Sequence, residues 1–146
     1  MNQTHYSFQY AREEKLYEFH SQGKRGVIKK VVQFKLIHSN VFNLGFGDFS
    51  DELGLIDDTV VTDNGDMEMI FATVIAIIQQ FLLSFPDAGI FLTGSTNSRT
   101  RLSQIIINMN LEDLQEDFEI YGFRNERWER FRKNIRYESF LVSKLL

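Results

Sequence analysis

The stretch Thr93-Gly94-Ser95-Thr96-Asn97-Ser98-Arg99-Thr100-Arg101 holds the residue types best suited to chemistry in this chain. A strand that runs into a small, hydroxyl-rich turn and then a helix start leaves backbone N–H groups pointing outward. With two arginines in the first turns, that is an anion site, and Gly94, Ser95, Thr96, Arg99 and Arg101 are its candidate ligand-binding residues. Plain N-capping by Ser95, Thr96 or Asn97 demands the same residue types. Cations at a helix start oppose its dipole, so Arg99 and Arg101 need partners. Two positions apart, they point to different faces: one toward carboxylates of the 48–58 segment, the other toward an anion on the turn. No Gly-Lys-Ser/Thr follows Gly94, so this is not a nucleotide-binding P-loop.

The second constellation is acidic: Asp48, Asp57 and Asp58, with Asp51 and Glu52 between them. Clustered carboxylates can hold Mg²⁺ or Ca²⁺, but the alternating acids of an EF-hand are absent, and the segment reads as a solvated loop. His5, His20 and His38 form no paired-ligand pattern, so neither a metal nor a cofactor is expected. The third is basic and aromatic: Arg124, Arg127, Arg130, Arg132, Lys133 and Arg136 among Trp128, Phe131 and Tyr137. Glu126 and Glu129 dilute it. Trp128, Phe131 and Ile135 fall at helical spacing, which predicts a packed helix with a basic outer face. No Gly-x-Ser-x-Gly elbow occurs, and with no cysteine there is no thiolate nucleophile. Catalytic residues stay unassigned, and the sequence leaves open whether the protein is an enzyme.

Several elements must position these groups. Tyr6, Phe8 and Tyr10 alternate with polar residues as a strand does, and Leu16–His20 repeats the pattern before a turn at Gln22-Gly23-Lys24. In the next run Ile28, Lys30, Val32, Phe34 and Leu36 share the drier face, making a hairpin. Phe42, Leu44 and Phe46 mark a third strand, and residues 57–62 a short fourth. Asn64-Gly65 then turns the chain, and Asp66 is placed to cap a helix that is apolar almost all round and ends at Pro86. Ile90–Thr93 reads as a buried strand. Leu102, Ile105, Ile106 and Met109 stripe a second helix, and Phe118–Phe123 form another strand. Phe140–Leu146 fits strand or helix. This order predicts an α+β fold, with a mixed, largely antiparallel sheet, a long buried central helix and a second helix packed on it.

At 146 residues, 43% hydrophobic and 25% charged, with mean hydropathy −0.23, the chain has the composition of one globular domain, residues 1–146. Absence of cysteine points to a reducing compartment, and no signal-like or membrane-spanning run is expected, so a cytoplasmic location follows. The net charge of −4 hides segregation: no Lys or Arg lies between Leu36 and Ser98, which hold nine acids. Overall acidity argues against general nucleic-acid binding and against a membrane partner. An acidic middle between more basic ends suits head-to-tail self-association or another protein partner.

The residues Phe42-Asn43-Leu44-Gly45-Phe46-Gly47-Asp48, Asp57-Asp58, Asn64-Gly65-Asp66, Phe71-Ala72-Thr73-Val74, Gly94-Ser95-Thr96 and Arg99-Thr100-Arg101-Leu102 resemble a family of small bacterial proteins of unknown function. The resemblance covers nearly the whole chain, implies a stand-alone unit and assigns no activity. The element order also resembles the GNAT acetyltransferase superfamily, and Asn97 to Leu102 is similar to its fourth-helix pattern. That resemblance implies acetyl-CoA as cofactor. Two departures weigh against the chemistry: Val61-Thr62-Asp63-Asn64-Gly65-Asp66 stands where the pyrophosphate loop belongs, and Ser103 where a general-acid tyrosine often sits. The sequence therefore favours a self-associating, non-catalytic binding or assembly module, a homodimer in its simplest form. The alternative is an acyl-CoA-dependent N-acyltransferase with a degenerate phosphate loop.

Overall fold

Alternating apolar and polar side chains draw the first part of the chain into strands, and a continuous apolar run then makes a helix. The computed structural model describes residues 4–11, 15–50, 55–57, 64–93 and 97–144. The fold is α+β, with mostly antiparallel strands and one long helix, and it divides into two compact units. The first comprises Met1–Lys35 and Gly45–Gln80, the second Leu36–Leu44 and Phe81–Leu146.

In the first unit, β1 (Gln9–Ala11) pairs antiparallel with β2 (Leu16–Gly23), which pairs with β3 (Gly26–His38). The far part of β4 (Val41–Ser50) follows, and β5 (Leu55–Asp57) lies antiparallel to it, with Asp57 opposite Asp48. Strand pairing starts at Gln9, later than the alternation at Tyr6 and Phe8 predicts, because Tyr6 is held by other bonds. Its N–H donates to Thr73 Oγ1 at 2.9 Å and its hydroxyl to Asp66 Oδ2. Helix α1 (Met67–Ser84) buries Ile70, Phe71, Ala72, Val74, Ile75, Ile77 and Ile78 in this unit. By length and composition, with mean hydropathy 1.7, it is one helix able to cross a membrane, contrary to expectation; 56% of it is buried inside the protein.

Asp66 does not cap α1 with its side chain. Its Oδ2 accepts from Tyr6 and, at 2.6 Å, from the Ser21 hydroxyl, leaving a buried Oδ1 without a partner. Burial first, then this carboxylate, raises the Tyr6 phenol above its ordinary pKa. The turn before the helix belongs to Asn64, which is 1% exposed. Its Nδ2 donates to Gly26 O at 2.8 Å and Ser21 Oγ at 3.1 Å, and its Oδ1 accepts from Arg25 N at 2.6 Å. Its carbonyl takes Lys24 N at 3.2 Å. Gly23 is needed for this approach, since a Cβ there would stand 1.9 Å from Asn64 O.

Asp48 overturns the solvated-loop reading. It is 9% exposed and meets the fully buried Lys30 Nζ at 2.5 Å, so the one cation on the dry face of β3 has its counter-charge on β4. Both partners are out of water, where breaking a pair costs far more than replacing it.

In the second unit, the start of β4 pairs parallel with β6 (Gly89–Leu92). The order continues antiparallel through β9 (Ser139–Lys144), β7 (Phe118–Arg124) and β8 (Arg127–Arg130). Helix α2 (Asn97–Met109) forms as predicted, but it buries Ile106 and Ile107 and leaves Ile105 and Met109 exposed. A short acidic α3 (Leu111–Asp117), hidden in LEDLQED, follows it. The basic helix predicted over residues 124–136 does not form. Asn125 and Glu126 both take positive φ (51° and 62°), which makes a two-residue hairpin turn from β7 into β8. Trp128, Phe131 and Ile135 thus share a helical spacing but no face.

Two stability predictions follow from the first unit. Asn64→Ala strands the buried partners at the hairpin turn and should cost about 3 kcal/mol in chemical denaturation. Asp48→Ala removes the carboxylate that Lys30 Nζ meets at 2.5 Å and should cost about 3 kcal/mol or more, whereas Lys30→Met paired with Asp48→Leu should cost far less. Equal losses for the single and the paired replacement would show that the charges are not what holds this position.

A cleft beside the second helix

The second unit holds a cleft of about 950 Å³. One wall is α2, through Thr100, Arg101, Gln104 and Ile105, positions that recur on one helix face. The hairpin turn Arg124-Asn125-Glu126 and the segment Asn134–Glu138 form the rest.

Its frame rests on Tyr137, 1% exposed, whose ring lies against Gly122 of β7. A Cβ on Gly122 would sit 2.3 Å from the ring, so only glycine leaves room there. The ring packs on Phe131 with centroids 5.1 Å apart, edge-on to Phe140 at 6.2 Å. Tyr137 N donates to Gln104 Oε1 at 3.0 Å, and Gln104 Nε2 donates to Ile135 O. One glutamine amide thereby ties the 134–138 backbone to α2. Glu138 N donates to Phe123 O at 2.8 Å and fixes the exit into β9.

Behind the cleft, Glu129 gathers charge. Its carboxylate accepts Arg132 Nη2 at 3.0 Å, the Tyr137 hydroxyl at 2.9 Å and Arg124 Nε at 3.1 Å. Arg132 and then Tyr137 pull the Glu129 pKa down from 4.5 to about 2. Arg124 is thus anchored by its Nε while lining the cleft. Arg101 and Arg136 line it too, and neither makes an ion pair with a described residue. Glu126 and Glu138 stand at the same walls. Chemically, the arrangement offers two uncommitted guanidiniums and a third held in place, against an apolar strip from Ile105 and Ile135. That suits capture of an anion with an apolar body.

Of the turn-and-helix candidates, Arg101 alone is placed in this cleft, where Arg124, Arg136 and Tyr137 of the basic and aromatic set join it. Gly94, Ser95 and Thr96 lie outside the described residues, and so does the side chain of Arg99, whose backbone is in α2. Asp48 is spent on Lys30 in the first unit; Asp57 has only its strand position described, and Asp58 lies outside. Among the described residues no three His, Asp or Glu side chains gather as metal ligands. The sequence reading missed Gln104, Arg136 and Tyr137 as a set. The signals were present in Gly122 within an apolar strand and in the polar Gln104 directly before the apolar run Ile105-Ile106-Ile107.

The model of the family of unknown function DUF6934 matches residues 2–145, so the chain belongs to that family. No curated protein and no solved structure matches it.

The Glu129 knot makes an acid-side prediction. A carboxyl held at about 2 when folded and 4.5 when unfolded stabilises fully above pH 4.5, and that stability is lost as pH falls toward 2. Melting temperature should therefore drop more steeply below pH 4.5 in the wild type than in Glu129→Gln. Parallel curves for the two proteins would remove Glu129 from the acid response.

Proposed function

We propose that this member of the DUF6934 family is a binding module that takes an anionic small molecule in the cleft beside α2. The observation that carries the reading is the pair Arg101 and Arg136, without ion-pair partners among the described residues, at the wall of a cleft of about 950 Å³ whose backbone is fixed by Gln104 and Tyr137. Preorganised guanidiniums bind carboxylate or phosphate in a fork geometry, and here the helix and segment that carry them are already tied together. The lining offers guanidiniums and amides held in place, so binding rather than turnover fits its described residues best.

Self-association is a second reading. Leu36, Ile37 and Leu83 are 64%, 55% and 73% exposed, and large apolar side chains left in water favour a partner surface. Sedimentation velocity at rising concentration tests it; a monomer throughout would remove it.

The cleft reading is tested by thermal shift with phosphate, sulfate and carboxylates. A ligand at 100 times its dissociation constant adds about 2.7 kcal/mol, an easily read shift. Arg101→Ala and Arg136→Ala should each weaken the response about tenfold. No saturable shift with any anion, or unchanged shifts in both variants, would sink the reading. Acetyl-CoA at millimolar concentration should give no shift; a saturable one would favour the N-acyltransferase alternative.

A further inference from the structure

The pleat of the second unit's sheet puts the cleft residues and a different set of side chains on opposite faces. Phe118, Ile120 and Gly122 of β7 are buried on the side that Tyr137 covers. Glu119, Tyr121 and Phe123 alternate with them and face the other way. The strand register carries this second face across four strands. Phe91 stands opposite Leu141, Leu141 opposite Tyr121, and Tyr121 opposite Arg130. In the next row Ser139 is opposite Phe123, and Phe123 opposite Trp128, with the Ser139 hydroxyl 3.2 Å from that of Thr93. Phe91, Tyr121, Phe123 and Leu141 are all partly exposed, and Trp128 is 44% exposed.

This face is a trough. Phe91 and Trp128 lie on strands separated by β9 and β7, about 14 Å apart at about 4.8 Å per strand. Their ring centroids are nevertheless 6.1 Å apart, so the two side chains lean toward each other over β9 and β7. Trp128 also packs on Phe123 at 5.2 Å, which holds its ring firmly while leaving much of it in water. Cations rim the trough. Arg130 lies over the Tyr121 ring at 5.8 Å and touches Glu119 at 3.3 Å, with 70% of its side chain exposed. Lys133, also exposed, follows three residues on, while Arg132 is held by Glu129 on the other face.

We infer that this aromatic trough, lined by Phe91, Tyr121, Phe123 and Trp128, binds single-stranded nucleic acid by stacking unpaired bases, with Arg130 on the phosphates. Partly exposed rings clustered on a sheet face, one of them under an arginine, are the equipment for that task, since every base offers a π-face. Polar groups sit within the same rows as the rings, Arg130, Ser139 and Thr93, with Glu119 in the adjoining row. A second copy of the chain docking here would bury them against apolar surface, whereas phosphates and base edges satisfy them. The exposed Arg130–Glu119 contact is weak enough for a phosphate to compete with it. Phe91 and Thr93 fall within the cation-free stretch Leu36 to Ser98, so the positive charge of this face comes from β8, through Arg130. The inference stands on the opposite face from the cleft and does not depend on it.

Trp128 is the only tryptophan, so its fluorescence reports on the trough directly. Titration with a twelve-residue oligo-dT at low salt should quench it saturably, with affinity falling as salt rises. By anisotropy of labelled oligonucleotide, Phe123→Ala and Trp128→Ala should each bind about tenfold more weakly, and Trp128→Phe should restore most of the loss. Arg130→Gln should flatten the salt dependence by about one phosphate contact. Circular dichroism on each variant separates lost binding from lost fold, and the exposed Trp128 is the variant expected to keep it. Absence of quenching at low salt overturns the inference. So does equal quenching by polyphosphate or polyglutamate, or a dimer in sedimentation that Trp128→Ala dissolves.

Discussion

The contact between the Tyr137 ring and Gly122 decides what the second unit can do. A chain leaving β8 must return to β9 on the far side of β7, and the segment that makes this crossing has to lie on the sheet's buried face. Gly122 opens a slot there, Tyr137 fills it, and each polar atom the crossing would strand finds a partner: the phenol on Glu129, the backbone on Gln104. Seating the ring also sets residues 134–138 at a fixed height above the strands. The cleft is what remains between that segment and α2. Cleft shape is therefore a consequence of core packing, and it needs no flexible loop.

The first unit solves its problem differently. Its β2–β3 turn and the start of α1 meet through Asn64, a single amide that uses both donors and its acceptor on backbone or hydroxyl groups. A half-satisfied amide at 1% exposure would be destabilising, so the bonds stand or fall together. Lys30 and Asp48 follow the same logic with charge. Buried polar groups here act as register pins: slipping β3 by one residue would take Lys30 off its carboxylate and turn Val32 and Phe34 outward.

Much of this was legible in the sequence. The drier face of β3, the α1 run and the strand at Phe118 rested on period and length, which burial enforces over many residues. The failures share a cause. Trp128, Phe131 and Ile135 match a helix by spacing, yet one lies in the trough, one in the core and one at the cleft wall. Spacing cannot separate these when the true signal is a turn made by Asn125-Glu126, a pair that takes positive φ without any glycine. Asp66 looked like a cap because caps are local, whereas its actual partners, Tyr6 and Ser21, come from 60 and 45 residues away. Asp48 looked solvated because its cation lies 18 residues back, on a strand whose pairing the sequence does not print. Long-range pairing decided each case.

The register between β7 and β8 sorts the basic hairpin into two roles. Arg124 and Arg127 are opposite each other on one side, with Glu129; Trp128 and Arg130 oppose Phe123 and Tyr121 on the other. Because side chains alternate strictly, a one-residue slip of β8 would send Trp128 toward the Tyr137 side and drag Glu129 out of its knot. The Glu129 contacts to Arg124 and Tyr137 penalise that slip electrostatically, and the Trp128–Phe123 stack penalises it through packing. The same two-residue turn that defeats a helical reading therefore fixes which arginines reach the cleft and which rim the trough. A chain of net charge −4 can in this way present cations to two faces at once.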